Sequence, residues 1–272
     1  KVPKMTTQQL KAMPRLVSLL LLAVAAAGAP LRSKHVAAHS FVRSLELKQV
    51  LRVCNAYPFT SALDVFVGKT KVTETPLAYK SCGEFAPALS VGDRVDFKVG
   101  ESNAGTFTIS DLPNSDAVLL MVIYRHDTVS TAVSFESHVF ASLQSAQIAV
   151  LDTYKGTEKS ELRIQDMLEK KPEGEEVPGE IRSELLRFDS VVAVDPGQYE
   201  VMLVGEKAAS KSELVAAKGE AYVVMRCGCQ AEEGPAYPQD LMVYPHTDKK
   251  ALGAATRSFG SPLLAAALAL WA

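Results

Sequence analysis

Leu51-Arg-Val-Cys-Asn-Ala-Tyr57 returns later in the chain as Ile148-Ala-Val-Leu-Asp-Thr-Tyr154, and this repetition decides the fold. In the first stretch Leu51, Val53 and Asn55 alternate with Arg52, Cys54 and Ala56, and both stretches share an Asn/Asp-x-Tyr ending. Such alternation has the period of a β-strand, so the repeated unit is a β module.

Two more stretches recur in the same order at nearly the same separation. Gly92-Asp-Arg-Val-Asp-Phe-Lys-Val-Gly-Glu101 aligns without a gap on Gly197-Gln-Tyr-Glu-Val-Met-Leu-Val-Gly-Glu206. Asp116-Ala-Val-Leu-Leu-Met121 aligns on Glu220-Ala-Tyr-Val-Val-Met225. Ordered similarity at one spacing indicates an internal duplication. We therefore predict that residues 45–142 and residues 143–246 form two similar modules that superpose Gly92 on Gly197 and Met121 on Met225.

The regular spacing of strand and turn signals predicts the architecture of each module. Val95, Phe97 and Val99 alternate with Asp96 and Lys98, as in a strand with one buried face. Glycine and proline interrupt such runs at hairpin-like intervals, which favours an antiparallel sandwich over alternating strands and helices. The sequence therefore predicts an all-β protein made of two tandem antiparallel β-sandwiches.

The second module contains a segment whose structure the pattern leaves open. Residues 158–169 have spacings that permit either a helix or a strand. The following stretch, residues 169–184, combines prolines, glycines and many acidic residues, which predicts a solvated loop inserted into this copy.

The N-terminal segment has the features of a secretory signal. Lysines and an arginine precede the apolar run Leu16–Ala27, which is too short to span a bilayer and leads into small residues. We predict that residues 1–29 are a signal peptide with an upstream extension, Met13 being a plausible initiator.

The C-terminal segment, residues 247–272, resembles a glycolipid-anchor signal. Gly253, Ala254 and Ala255 provide small residues, a short spacer follows, and residues 263–272 are almost wholly apolar. We predict anchor attachment at one of these three residues and membrane association through the lipid. A C-terminal helix or a membrane-dipping tail is the alternative.

The first module resembles a known group of secreted proteins. Val53 to Tyr57-Pro58, then Ala62-Leu-Asp-Val-Phe-Val67, are similar to the unit of a domain-of-unknown-function family. Val194-Asp-Pro-Gly-Gln-Tyr199 resembles that family's strand-entry turn in the second module. The resemblance implies tandem immunoglobulin-like sandwiches on microbial surfaces and carries over no catalytic residue or cofactor.

Two of the four cysteines are expected to pair. Cys54 aligns with Leu151, and Cys82 aligns with Leu185, so both become leucine in the second copy. Joint replacement predicts a disulfide between Cys54 and Cys82, as expected in an oxidising compartment.

The other two cysteines, in Cys227-Gly-Cys229, leave several interpretations open. They form a mutual disulfide, pair with another chain, or bind a soft metal together with Met225 and His246. A structural metal site normally has four recognisably spaced ligands, and no second Cys or His pair follows. We therefore predict no metal and no cofactor.

Composition and motifs narrow the function to two classes. The net charge of −2 and the absence of a basic cluster argue against a nucleic-acid partner. His126 and His138 are interpreted as solvated histidines, and no hydrolase or phosphate-loop motif occurs, so we predict a non-enzyme.

The first class is a cell-surface binding or structural protein with an unidentified protein or carbohydrate ligand. The alternative is a soluble extracellular or lumenal accessory protein, redox or metal linked through Cys227 and Cys229. A plastid lumen is a minor alternative to the cell surface as its location.

Overall fold

The computed structural model describes residues 47–141, 145–167, 181–205 and 209–255, which are mainly β-strands. The predicted all-β class is confirmed, and the strands form two sandwich-like units. The predicted signal peptide, residues 169–180 of the predicted insertion, and the tail from residue 256 lie outside the described residues.

The first sandwich has one four-stranded sheet in the order β3-β2-β5-β6 and another in the order β4-β1-β7-β8. Its strands are β1 (Gln49–Ala56), β2 (Asp64–Val67), β3 (Thr70–Lys71), β4 (Ser81–Phe85), β5 (Arg94–Val99), β6 (Ser102–Thr108), β7 (Ala117–Arg125) and β8 (Val133–Phe140).

The second sandwich repeats this topology strand for strand, with sheets in the orders β11-β10-β13-β14 and β12-β9-β15-β16. Its strands are β9 (Ala146–Asp152), β10 (Ser160–Asp166), β11 (Ser183–Leu186), β12 (Ser190–Val194), β13 (Gly197–Gly205), β14 (Ala209–Ala216), β15 (Ala221–Cys229) and β16 (Tyr237–Tyr244). The segment with two open interpretations is thus a strand, β10, and Ser183 and Glu184 of the predicted insertion belong to β11.

One strand pair at the centre of each sandwich is parallel, whereas the other pairs are antiparallel. β1 pairs with β7, and β9 pairs with β15, in parallel register. A parallel pair needs a long crossover connection. Here the crossover consists of five strands, of which β2, β3, β5 and β6 form one sheet and β4 joins the edge of the other before the chain returns as β7.

The four sheets are stacked in layers, with the sheets that contain β1 and β9 on the inside. One apolar cluster fills the first sandwich and another fills the second. A third cluster, which we call the seam, joins the β1 sheet to the β9 sheet. It consists of Cys54, Ala56, Leu120, Val122, Phe140, Ala149, Leu151, Ala221, Val223, Met225, Cys227 and Met242.

The seam explains why the inner strands are buried on both faces. Leu51 and Val53 of β1 point into the first core, whereas Cys54 and Ala56 point into the seam. Every residue of β15 is buried for the same reason. Strands covered on both faces have continuous apolar runs in place of alternation.

Polar contacts also cross the seam. Arg52 is 2% exposed, donates hydrogen bonds to the Glu84 carboxylate and the Ala221 carbonyl, and stacks over the Tyr244 ring. The Lys80 ammonium lies 2.5 Å from the Asp240 carboxylate. The two sandwiches are therefore joined by a packed, hydrogen-bonded contact.

The structure confirms the first of the three repeat alignments in detail. The Asn55 side chain accepts a hydrogen bond from the Tyr57 amide at 3.0 Å, and the Asp152 side chain accepts one from the Tyr154 amide at 3.1 Å. The repeated Asn/Asp-x-Tyr ending is thus the same turn in both copies, with the side chain capping the end of the strand.

The predicted superpositions of Gly92 on Gly197 and of Met121 on Met225 are wrong. Met121 points into the first core, whereas Met225 points into the seam. Gly92 lies in a turn with φ of 93°, whereas Gly197 begins strand β13.

The gapless alignment also places Phe97, a core residue, on Met202, although the core residues of β13 are Val201 and Leu203. A shift of one residue exchanges the two faces of a strand, so the gapless alignment assigns the buried positions of β5 to the outer face of β13.

Candidate functional site

Four loops, two from each sandwich, gather at one end of the protein. They follow the parallel strands β1, β7, β9 and β15, so all four leave the sheets at the same end. We call this surface the loop face; it consists of residues 57–63, 126–132, 153–159 and 230–236. The first described strand begins at the opposite end, which we call the far end, and the last described helix, α1 (Lys250–Ala255), lies towards it.

Hydrogen bonds tie the loops of the loop face together. The Tyr57 hydroxyl donates to the Thr131 carbonyl at 2.8 Å, linking the two loops of the first sandwich. The Gln230 backbone amide donates to the Lys155 carbonyl at 2.7 Å, linking the two loops of the second sandwich. The Glu232 amide donates to the Thr128 carbonyl at 2.9 Å, which connects the two sandwiches. The loop face is therefore one composite surface.

The loop face exposes apolar side chains among charged ones. Phe59 is 44% exposed and Val129 is 64% exposed. Asp127 accepts hydrogen bonds from the Ser130 and Val129 amides, and these bonds lower the pKa of its carboxyl group. Exposed apolar groups in a polar rim are typical of a surface that contacts a partner.

His126 and His138, the two histidines singled out in the sequence, each contact a neighbouring side chain. His126 Nδ1 lies 2.8 Å from the Ser134 hydroxyl, and both side chains are exposed. The Asp127 carboxylate beside them is bonded to the following turn. His138 packs edge-on against Phe140, and burial lowers its pKa. The His126–Ser134 pair is thus a hydrogen bond at the protein surface.

A buried ionic network below the loop face was not predicted from the sequence. Arg226, 5% exposed, donates to the Asp152 carboxylate at 3.3 Å, to the Gln239 side chain at 2.8 Å and to the Glu158 carbonyl. Its guanidinium stacks on the Tyr154 ring at 4.2 Å. Burial raises the pKa of Asp152, and the charge of Arg226 opposes this shift. In the sequence, the network could have been recognised from Arg226, because this charged residue lies within an apolar run.

A cleft of about 190 Å³ opens at the far end of the second sandwich, between its two sheets. The end of β10 provides Gln165 and Asp166, the start of β11 provides Glu184 with the preceding Arg182, and β13 provides Tyr199. The turn residue Asp195 closes one side. The Tyr199 hydroxyl donates to the Asp195 carbonyl at 2.8 Å, which fixes the ring at the floor of the cleft.

The cleft carries charges of both signs. The Arg182 guanidinium donates to the Glu184 carboxylate at 2.7 Å, and this hydrogen bond raises the pKa of Arg182. Burial raises the pKa of Tyr199, and the Asp166 and Asp195 charges add to this effect. Donors and acceptors thus surround an aromatic ring. This site was not predicted from the sequence, although the turn between Asp195 and Tyr199 was.

The predicted disulfide between Cys54 and Cys82 is confirmed. The two residues lie directly opposite each other on β1 and β4, and Cys54 belongs to the seam. The reasoning from Leu185 was wrong, however. β4 corresponds to β12, whereas Leu185 lies on β11, so it is not the counterpart of Cys82.

Cys227 and Cys229 are free and buried, so the mutual disulfide, one of the interpretations that the sequence left open, is not formed. Gly228 between them has φ of 127° and forms a β-bulge, with its Cα hydrogen facing the Pro238 carbonyl too closely for a side chain. Burial raises the pKa of Cys227 to about 12 and also raises that of Cys229. Both groups are therefore neutral thiols packed in the protein.

Metal binding is another interpretation of these cysteines, together with Met225 and His246. Within the described ranges, no group of three or more His, Cys, Asp or Glu side chains is placed to hold a metal ion. Met225 and Cys227 instead pack side by side in the seam.

The predicted anchor residues Gly253, Ala254 and Ala255 fall in α1. The preceding Lys249 pairs with Glu213 on β14 at 2.8 Å, which places the start of this helix against the second sandwich. In the part of the chain that the structure describes, no helix combines the length and hydrophobicity needed to cross a membrane.

Comparison with known proteins gives little similarity. No protein-family model matches the chain, and no curated protein matches it in sequence. One similar solved structure is described as alpha-glucan binding by a streptococcal virulence factor. The match covers 74% of this chain and 100% of the other, with 8% identity and a TM-score of 0.19. A score this low does not indicate a shared fold, so the loop face and the cleft are interpreted from their own geometry.

Proposed function

We propose that this protein is a non-enzymatic, secreted binding protein, held at a membrane through its C-terminal end, that presents the loop face to a protein or carbohydrate partner. The single observation that carries the proposal is the position of the loop face, opposite the end where α1 lies. A C-terminal lipid at residues 253–255 would leave the loop face pointing away from the membrane.

The composition of the loop face supports a binding role. Phe59 and Val129 are exposed apolar groups on loops whose backbones are fixed by hydrogen bonds. Fixed loops lose little conformational entropy on binding, and exposed apolar side chains provide the contact area that anchors a partner. The Cys54–Cys82 disulfide fits the oxidising compartments through which secreted proteins pass.

The buried thiols favour this function over the soluble redox or metal-linked alternative. Reactive cysteines are partly exposed and have a lowered pKa. Cys227 and Cys229 have raised pKa values and are fully covered, so they act as small apolar residues of the packing.

Phospholipase release tests the membrane attachment. A phospholipase that cleaves glycolipid anchors is expected to release the protein from cells, and deletion of residues 263–272 is expected to send it into the medium. Recovery of freely secreted protein that still contains Trp271 would contradict the attachment.

Tag accessibility tests the orientation. Gly234 has open space around it on the loop face, and Val91 is 61% exposed in a far-end loop. An epitope inserted after Gly234 should be accessible to antibody on intact cells, whereas the same epitope after Val91 should be much less accessible. After phospholipase release the two signals should become equal. Equal accessibility before release would contradict the proposed orientation.

A further inference from the structure

The cleft at the far end exists because the two copies differ at one connection. In the first sandwich, β4 and β5 are joined by residues 86–93, and Leu89 from this connection packs on the core together with Phe85. In the second sandwich, β12 and β13 are joined by only Asp195 and Pro196. Among the described residues of the second sandwich, the apolar plug of the first copy therefore has no counterpart.

Polar residues line the space that the plug would fill. Asp166 and Glu184 come from adjacent strands of one sheet, and Asp195 comes from the shortened turn. Tyr199 packs partly on the second core and presents its remaining ring surface to the cleft. Gly197 leaves room for this ring, because a Cβ atom there would lie 3.3 Å from it.

The mixed charges of the lining select the class of ligand. An anion would meet the carboxylates of Asp166 and Asp195, and a cation would meet the guanidinium of Arg182. A neutral ligand rich in hydroxyl groups avoids both conflicts, since hydroxyls donate to carboxylates and accept from guanidinium and amide groups. An apolar ring face can lie against the exposed surface of Tyr199 while the hydroxyls bond at its edge.

The size of the cleft limits the ligand further. Its volume of about 190 Å³ is below the roughly 300–1,000 Å³ typical of sites for drug-sized ligands. It therefore accommodates one ring, with the rest of a longer chain in solvent. We propose that this cleft binds a single neutral sugar residue, either free or at the end of a glycan. This site is separate from the loop face and does not depend on the membrane attachment.

Titration with simple glycosides tests the proposal. The purified full chain is titrated with the methyl glycosides of glucose, galactose, mannose and N-acetylglucosamine, with binding followed by saturation-transfer NMR. At least one glycoside is expected to bind with a Kd of about 1 mM, a value typical of a small neutral ligand in a shallow site. Methylammonium and acetate serve as the cationic and anionic probes and are expected not to compete.

A matched pair of variants locates the binding. Asp166→Ala removes a carboxylate that has no hydrogen-bond or ion-pair partner within the described residues, so the fold should persist. Glu161→Ala makes the same change of charge on the same strand but on its outer face. Asp166→Ala should weaken glycoside binding at least about tenfold, and Glu161→Ala should leave it unchanged, with unaltered thermal unfolding in both.

Three outcomes would overturn the proposal: no glycoside binds to the folded protein, both variants bind as the wild type does, or methylammonium or acetate displaces the glycoside. None of these outcomes bears on phospholipase release or tag accessibility, so the two proposals fail independently.

Discussion

The buried Arg226–Asp152 pair can be tested against a comparison that the protein itself contains. In the parallel register of the second sandwich, Arg226 lies opposite Asp152. At the same positions of the first sandwich, Ile123 lies opposite Asn55. The same position of the shared fold thus holds an ion pair in the second copy and an isoleucine beside an asparagine in the first. The informative changes are Arg226→Ile, Asp152→Asn and the combination of both.

The expected loss of unfolding free energy depends on which charged group each substitution leaves without a partner. Breaking a fully buried ion pair costs roughly 3–5 kcal/mol because a charge remains without compensation. Asp152 is 27% exposed and keeps its hydrogen bond from Tyr154, so Arg226→Ile should cost about 2–3 kcal/mol of unfolding free energy. Asp152→Asn should cost about 1–2 kcal/mol, since Arg226 keeps Gln239 and the Glu158 carbonyl as acceptors.

The double variant separates the ion pair from the other contacts. With both charges removed, no unpaired charge stays buried, so the double loss should be about 1–2 kcal/mol smaller than the sum of the single losses. Guanidinium-induced unfolding followed by tyrosine fluorescence measures all four proteins. Additive losses would refute the reasoning, because they would show that Arg226 and Asp152 do not stabilise each other.

The pH dependence gives a second check on the same pair. Burial raises the pKa of Asp152 in the folded state, and removal of Arg226 raises it further. Below the pKa of the unfolded state, which is about 4, the Asp152 carboxyl group is protonated in both states. The free-energy cost of burying its charge grows as the pH rises through the folded-state pKa. Arg226→Ile should therefore lose less stability at pH 4 than at pH 7. An equal loss at the two pH values would contradict the assigned charge of Asp152.

Three further changes test the disulfide, the buried thiols and the seam. Replacing Cys54 and Cys82 together by alanine should lower the unfolding free energy by about 3–4 kcal/mol for a sequence separation of 28 residues, and added reductant should then have no further effect on the melting temperature. Cys227 should resist iodoacetamide at pH 8 until denaturant is added, because its buried thiol stays protonated; rapid alkylation of native protein would contradict its burial. Val122→Asp, in the seam, should unfold the protein or lower its melting temperature steeply, whereas Val91→Asp at an exposed site should leave it unchanged.

Sequence patterns predicted the parts of the fold that depend on local physics. The alternation around Val95 and Phe97 identified a strand with one buried face, and both residues lie in the first core. The Asn55 and Asp152 turns were detected because a side chain bonds to a backbone amide two residues away. Such features are local, so they persist in the sequence wherever the strands finally pack.

Features that depend on long-range packing could not be predicted from the sequence. The seam buries the second face of β15, and the resulting apolar run removes the alternation that would have fixed Met225 in register. The cleft depends on which connection packs against the end of a sandwich, and the described residues of the second sandwich include no equivalent of Leu89. Neither feature has a local sequence pattern of its own.

The duplication produced surfaces that a single copy cannot form. The apolar outer face of the β1 sheet, with Leu120 and Val122, would be exposed without the β9 sheet. Contiguous apolar faces of this kind are seldom left open on soluble proteins. Because the seam aligns the parallel pairs of both copies, it also brings the loop containing Thr128 against the loop containing Glu232. The contact that stabilises the two sandwiches therefore also assembles the loop face, and a change at Val122 should disturb a binding surface that it does not touch.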